Sequence, residues 1–163
     1  TCDPYPAGKD TTITREIVKA IKESGNHVQI LTKNPTDRDF DLLDKDDWFG
    51  VTFSCYKDKD VIAEPNAMPP LLRLGYLKGA RLHRIKTWIS AEPVIDPYSI
   101  FALIDNFPFI YFDKISIGKM NYQKSNIDWK WFANSCKSLC DEDRNGINYV
   151  LKDDLKKLLE DQS

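Results

Sequence analysis

Polar and charged side chains end four apolar, β-rich runs in this 163-residue chain. Thr32, Lys33 and Asn34 follow Val28-Gln29-Ile30-Leu31, and Ser54 and Cys55 follow Phe49-Gly50-Val51-Thr52-Phe53. Ser90 and Glu92 close the run that starts at Lys86, and Lys119 and Asn121 follow the run from Phe112 to Gly118. In parallel α/β architectures ligands bind at the carboxyl ends of strands, because side chains from several strands converge there. The spacing therefore proposes one mouth lined by these groups. Lys33 and Glu92 stand at strand ends rather than out on loops. Opposite charges at one mouth suit a zwitterion, with the lysine pairing a carboxylate and the glutamate an ammonium or hydroxyl donor. Solvated loops also require polar residues after every strand, and that requirement accounts for part of the same pattern.

The elements that must position these groups are legible from periodicity and punctuation. Hydroxyls at Thr11, Thr12 and Thr14 can cap a helix whose face carries Ile17, Val18 and Ile21, and Gly25 ends it. A polar helix is expected from Phe40 to Asp46. After Tyr56 a Pro-containing connection leads into a helix with Leu71, Leu72, Leu74, Leu77 and Leu82. Further helices are expected from Pro97 to Asn106, with proline in the first turn, from Trp129 to Leu139, and from about Lys152 to Glu160. Strands alternating with helices predict a parallel α/β sheet or barrel. No internal repeat, low-complexity tract or linker divides the chain, so residues 1–163 read as one domain.

Four stretches resemble the radical S-adenosylmethionine (SAM) superfamily, in the branch related to spore photoproduct lyase. They are Thr1-Cys2-Asp3-Pro4-Tyr5-Pro6, Ile30-Leu31-Thr32-Lys33, Trp88-Ile89-Ser90-Ala91-Glu92-Pro93-Val94-Ile95-Asp96-Pro97, and Ile117-Gly118-Lys119-Met120-Asn121-Tyr122. The resemblance implies a partial (β/α)6 TIM-like barrel, in which three cysteines spaced CxxxCxxC bind a [4Fe–4S] cluster. It also implies reductive cleavage of SAM at that cluster and hydrogen abstraction from a substrate. Carried over by position, the Thr1-Cys2-Asp3 turn meets the methionyl amino group, with Cys2 where the lyase has a serine. Lys33 pairs with the methionyl carboxylate, Ser54 lies near the ribose, and the Ala91 backbone meets the adenine. Glu92, Lys119 and Asn121 face the same mouth without an assigned role.

No CxxxCxxC occurs in these residues. The chain therefore reads as the carboxy-terminal portion of such a barrel, catalytically silent by itself, with SAM, an unknown substrate and a missing amino-terminal segment as partners. A barrel cut in this way exposes the edge of its first remaining strand, which invites self-association. One alternative reading is a cluster-free α/β binding module, and a second is a calcium-binding protein acting through the 141–152 loop.

The rest of the composition narrows the field. A net charge of −2 gives no global electrostatic argument for nucleic acid or an anionic membrane. No apolar run approaches the roughly 20 residues of a membrane span, no amino-terminal signal segment is visible, and four cysteines are too few for a disulfide scaffold. A cytoplasmic location is the expectation.

Cys136 and Cys140 form an isolated CxxxC on a helix beside Trp131, Phe132 and Leu139, and read as buried thiols. Asp141-Glu142-Asp143-Arg144-Asn145-Gly146 matches the first half of a calcium-binding EF-hand loop, but Lys152 stands where a bidentate glutamate should close the coordination. His27 and His83 have no cysteine or carboxylate at metal-ligand spacing, so no metal site is expected. Arg73, Arg81, Arg84 and Lys86 read as a solvated basic helix face. Trp129 and Trp131, two apart on a helix, point to different sides.

Overall fold

The computed structural model describes residues 3–55, 64–106, 111–120, 125–142 and 148–160. In chain order its elements are α1 (Thr12–Glu23), β1 (Gln29–Thr32), a single 3-10 turn (Phe40–Leu42), β2 (Trp48–Thr52), α2 (Pro70–Leu82), β3 (Lys86–Ala91), α3 (Pro97–Asn106), β4 (Lys114–Ile117), α4 (Trp129–Asp141), β5 (Tyr149–Leu151) and α5 (Asp153–Glu160). The five strands form one sheet in the order β1-β2-β3-β4-β5, with every neighbouring pair parallel. Spatial order equals chain order, and right-handed crossovers then carry every connecting helix to the same side of the sheet. The result is the wall of a partial TIM-like barrel.

The register sorts the side chains into two faces. Ile30, Phe49, Val51, Ile89, Ala91, Ile115, Ile117 and Leu151 share one face and are all buried. They pack with Leu74 and Leu77 of α2, Ile100 and Leu103 of α3, Phe132 and Cys136 of α4 and Leu155 of α5 in one hydrophobic cluster. The opposite face carries Leu31, Gly50, Trp88, Thr52, Ser90, Ser116 and Val150. Thr52, Ser90 and Ser116 make its middle small and polar, and the Trp88 indole stands over Gly50. There Trp88 Nε1 donates to the Ile30 carbonyl at 3.2 Å, so one side chain spans three strands.

Several expected elements are revised. Only one turn, Phe40–Leu42, is helical in the region expected as a polar helix to Asp46. The Asp44 N–H donates to the Asp47 carboxylate and the Asp46 N–H to the Asp44 carboxylate, both at 2.8 Å, so side chains take the donors a helix would need. Strand β5 was not anticipated, because its three residues are too few to show alternation. The capping hydroxyls at Thr11 and Thr12 are also displaced from their expected part. Thr11 makes no side-chain cap bond, and the Asp10 carboxylate accepts the Thr12 N–H at 2.9 Å instead.

Among the leucines of α2 only Leu74 and Leu77 are buried. Leu71, Leu72 and Leu82 are exposed, and Arg73 occupies the buried stripe. On α1 the structure buries Val18 but exposes Ile17 and Ile13. Trp129 packs on the core cluster, whereas Trp131 lies partly exposed against Phe101 and Tyr98.

Candidate functional site

The carboxyl ends of the strands gather the groups that their spacing proposed. Extending the register two residues past the strand ends puts Ser54, Glu92, Gly118 and Lys152 in one layer on the Trp88 face, with Lys33 one layer below. The ladder supports that extension: the Phe53, Gly118 and Lys152 N–H groups donate to the Ser90, Ala91 and Ile117 carbonyls at 2.9, 3.1 and 2.9 Å. The layer separates into two polar clusters.

Lys33 heads the first. The Asp3 carboxylate straps the end of β1, accepting the Thr32 hydroxyl at 2.5 Å, the Lys33 N–H at 2.7 Å and the Tyr5 N–H at 2.8 Å. Lys33 Nζ lies 2.7 Å from Glu64 Oε1, and its side chain remains 36% exposed. The same Glu64 oxygen accepts from Ser54 Oγ at 2.8 Å, while Glu64 Oε2 accepts from Arg73 Nη2 at 2.6 Å. Arg73 is fully buried and also donates to the Thr52 carbonyl at 2.8 Å and the Met68 carbonyl at 2.6 Å. Burial alone would raise the Glu64 carboxyl. The donors on Lys33, Arg73 and Ser54 outweigh it and hold Glu64 below its ordinary value. Lys33 and Arg73 are matched here by the carboxylates of Glu64 and Asp3, so the cluster is balanced in charge and Lys33 offers directed N–H donors. A cavity of about 540 Å³ opens beside it, lined by Asp3, Lys9, Lys33, Asn34, Glu64 and Asn66 among others.

Glu92 heads the second cluster and pairs with Lys152 across Gly118. A Cβ on Gly118 would lie 2.9 Å from Lys152 Cδ and 3.0 Å from Glu92 Cδ, so the missing side chain is what lets the pair close. Glu92 and Lys152 line a separate cavity of about 620 Å³ with Asp153, Asp154 and Lys156.

Of the expected site residues, Asp3 and Lys33 share a cavity, and Glu92 faces the other one. Ser54 is fully buried beneath Glu64. Ala91 is fully buried too, its side chain turned to the helix layer and its carbonyl accepting from Gly118. Lys119 is partly buried just beyond β4. Cys2 and Asn121 fall outside the described residues. Glu64 and Arg73 were missed. The available signal was Arg73 itself, three residues after Pro70 and one before Leu74 on the apolar stripe of α2. The basic helix face expected from Arg73 to Lys86 loses Arg73, while Arg81, Arg84 and Lys86 still line one pocket with Asp113. Arg73 is internal, Arg81 pairs with Asp113, and Lys86 sits 5.8 Å over the Trp48 ring.

The rival signals resolve differently. Cys136 and Cys140 are buried, and burial followed by the neighbouring Cys140 pushes the Cys136 thiol up. Residues 143–147 of the acidic turn lie outside the described residues. Asp141 is engaged by Lys137 and by the Tyr149 hydroxyl at 2.5 Å, and Lys152 by Glu92. Folding does bring carboxylates to His27, which is 4.0 Å from Asp47 and groups with Asp44. Lys22 already bridges those two aspartates at 2.8 and 2.7 Å, and its donors draw Asp44 down to about 2.

No family model matches the chain, and no curated protein does. Solved structures do. The chain aligns with Streptococcus suis SuiB, a radical SAM enzyme, at 14% identity over 87% of its own length, with a TM-score of 0.66. It aligns with SuiB bound to S-adenosylmethionine at 13% identity over 87%, TM-score 0.69, and with SuiB bound to the precursor peptide SuiA at 13% identity over 93%, TM-score 0.68. It spans only 36% to 38% of those chains. Among the described residues no helix is long and apolar enough to cross a membrane. The five-stranded parallel sheet and its helices have the fold of the partial TIM-like barrel found in radical SAM enzymes.

Proposed function

We propose that this chain forms part of the SAM-binding wall of a radical SAM enzyme that abstracts hydrogen from a substrate not yet identified. The observation that carries the reading is Lys33. It is a partly exposed cation whose backbone is strapped by Asp3 at the end of a barrel strand, and it lines a cavity of about 540 Å³. That donor set fits the carboxylate of a methionine-bearing nucleoside. Lys33 would hold the carboxylate, with Asp3 and Cys2 on the amino-group side. Ser54 and Ala91 would contribute from beneath, and Glu92 from the neighbouring cavity. Bound there, SAM would supply the hydrogen-abstracting chemistry of the superfamily.

No CxxxCxxC stands in these 163 residues, and Cys55, Cys136 and Cys140 are buried. These residues therefore carry no ligand motif for a [4Fe–4S] cluster. Ligands for it would have to come from outside these residues, and the four stretches quoted above suggest the spore photoproduct lyase-like branch. The lack of cluster ligands equally favours a cluster-free binding module with the same wall.

Calorimetry with S-adenosylhomocysteine tests the wall itself. The chain should bind it, and Lys33→Met should weaken binding about tenfold or more, the scale of one lost charge-assisted hydrogen bond. A wild-type chain that binds no better than Lys33→Met overturns the reading. Anaerobic iron–sulfur reconstitution of the protein as its host cell makes it separates enzyme from module: an enzyme gains iron and forms 5′-deoxyadenosine from SAM, whereas a module does neither.

A further inference from the structure

Glu64 has no role in the reading above, yet it holds the residue on which that reading turns. Three side chains converge on it. Ser54 and Arg73 come from the buried side, and Lys33 comes from the cavity side. Arg73 also donates to the Thr52 and Met68 carbonyls, so the carboxylate is fixed to the end of β2 and to the entry of α2. Glu64 is only 6% exposed, and both of its oxygens are occupied.

A lysine at an open mouth loses rotamer freedom when it grips a ligand, which weakens its grip. Here Glu64 restricts Lys33 before any ligand arrives. An ammonium has three N–H donors, so one bond to Glu64 leaves two for an incoming anion. Arg73 pairs with the other Glu64 oxygen, so the carboxylate is shared between the two cations.

We propose that Glu64, anchored by Arg73 and Ser54, is a positioning residue that pre-orders the Lys33 ammonium for a ligand carboxylate. The proposal rests on the SAM-wall reading for the identity of that ligand, but not for the ordering of Lys33.

Two ligands and one spectrum test it. S-adenosylhomocysteine carries the amino-acid carboxylate, and 5′-methylthioadenosine lacks it. Glu64→Gln should weaken S-adenosylhomocysteine binding about tenfold and leave 5′-methylthioadenosine binding unchanged, as Lys33→Met should. In nitrogen-detected NMR, the Lys33 ammonium should be protected from water exchange in the wild type and lose that protection in Glu64→Gln. Equal weakening of both ligands would show a merely structural role and overturn the proposal, as would unchanged affinity with an unchanged Lys33 signal. If the wild type binds neither ligand, the SAM reading falls, and the Lys33 signal alone decides whether Glu64 orders that ammonium. If Glu64→Gln does not fold because Arg73 is left buried and unpaired, Glu64→Gln/Arg73→Met removes the stranded charge and is read in the same way.

Discussion

Glu64 shows how burial and pairing combine on a single carboxyl. Desolvation alone would favour the neutral acid, and the three donors reverse the sign. Its folded value lies below the ordinary 4.5, so the unfolded chain binds more protons through that range. The stabilisation from this group is thus complete above about pH 4.5 and is lost as pH falls through the lower folded value. Other depressed carboxylates, Asp39 among them, share the acid slope, so the comparison must be made against a variant. Urea unfolding from neutral to acid pH should show wild type losing stability more steeply than Glu64→Gln. Parallel pH profiles for the two proteins would contradict this account.

At the scale of elements, the close fit of β2 to β3 depends on the residue that is absent from Gly50. The Trp88 indole occupies the place a Cβ would take, and its N–H reaches across to the Ile30 carbonyl of β1. A Cβ there would meet a rigid ring rather than the tip of a flexible chain. Gly50→Ala should therefore cost about 1–3 kcal/mol, the range for overpacking a filled site, measured by equilibrium urea unfolding. Gly118→Ala meets the ends of Lys152 and Glu92 instead, which can swing aside, and should cost less. An equal loss in the two variants would show that the rigidity of Trp88 does not set the penalty.

At the scale of the whole molecule, β1 is an edge of the sheet, and the groove between it and α1 is apolar. Leu31 and Ile17 are 37% and 54% exposed, and the groove between the two elements encloses about 620 Å³. An open strand edge beside apolar side chains is a template for another strand. Self-association through this edge is the expected outcome, with the mass from light scattering rising with concentration and Leu31→Lys suppressing the rise. A mass of one chain at every concentration would remove the prediction.

The sequence by itself determined the alternation of strands and helices, because apolar periodicity and the Gly and Pro stops are local. It also placed polar groups at strand ends, with Lys33 and Glu92 foremost. Only the tertiary structure decided how those groups are partnered. Register put Ser54, Glu92, Gly118 and Lys152 in one layer, and folding brought Glu64 and Arg73 to Lys33 from beyond a long connection. The half-EF-hand pattern carried no hint that Lys152 meets Glu92, sixty residues away in the chain. Short-range patterning records which face a side chain occupies, whereas the pairing of charges depends on which distant elements the sheet order makes neighbours.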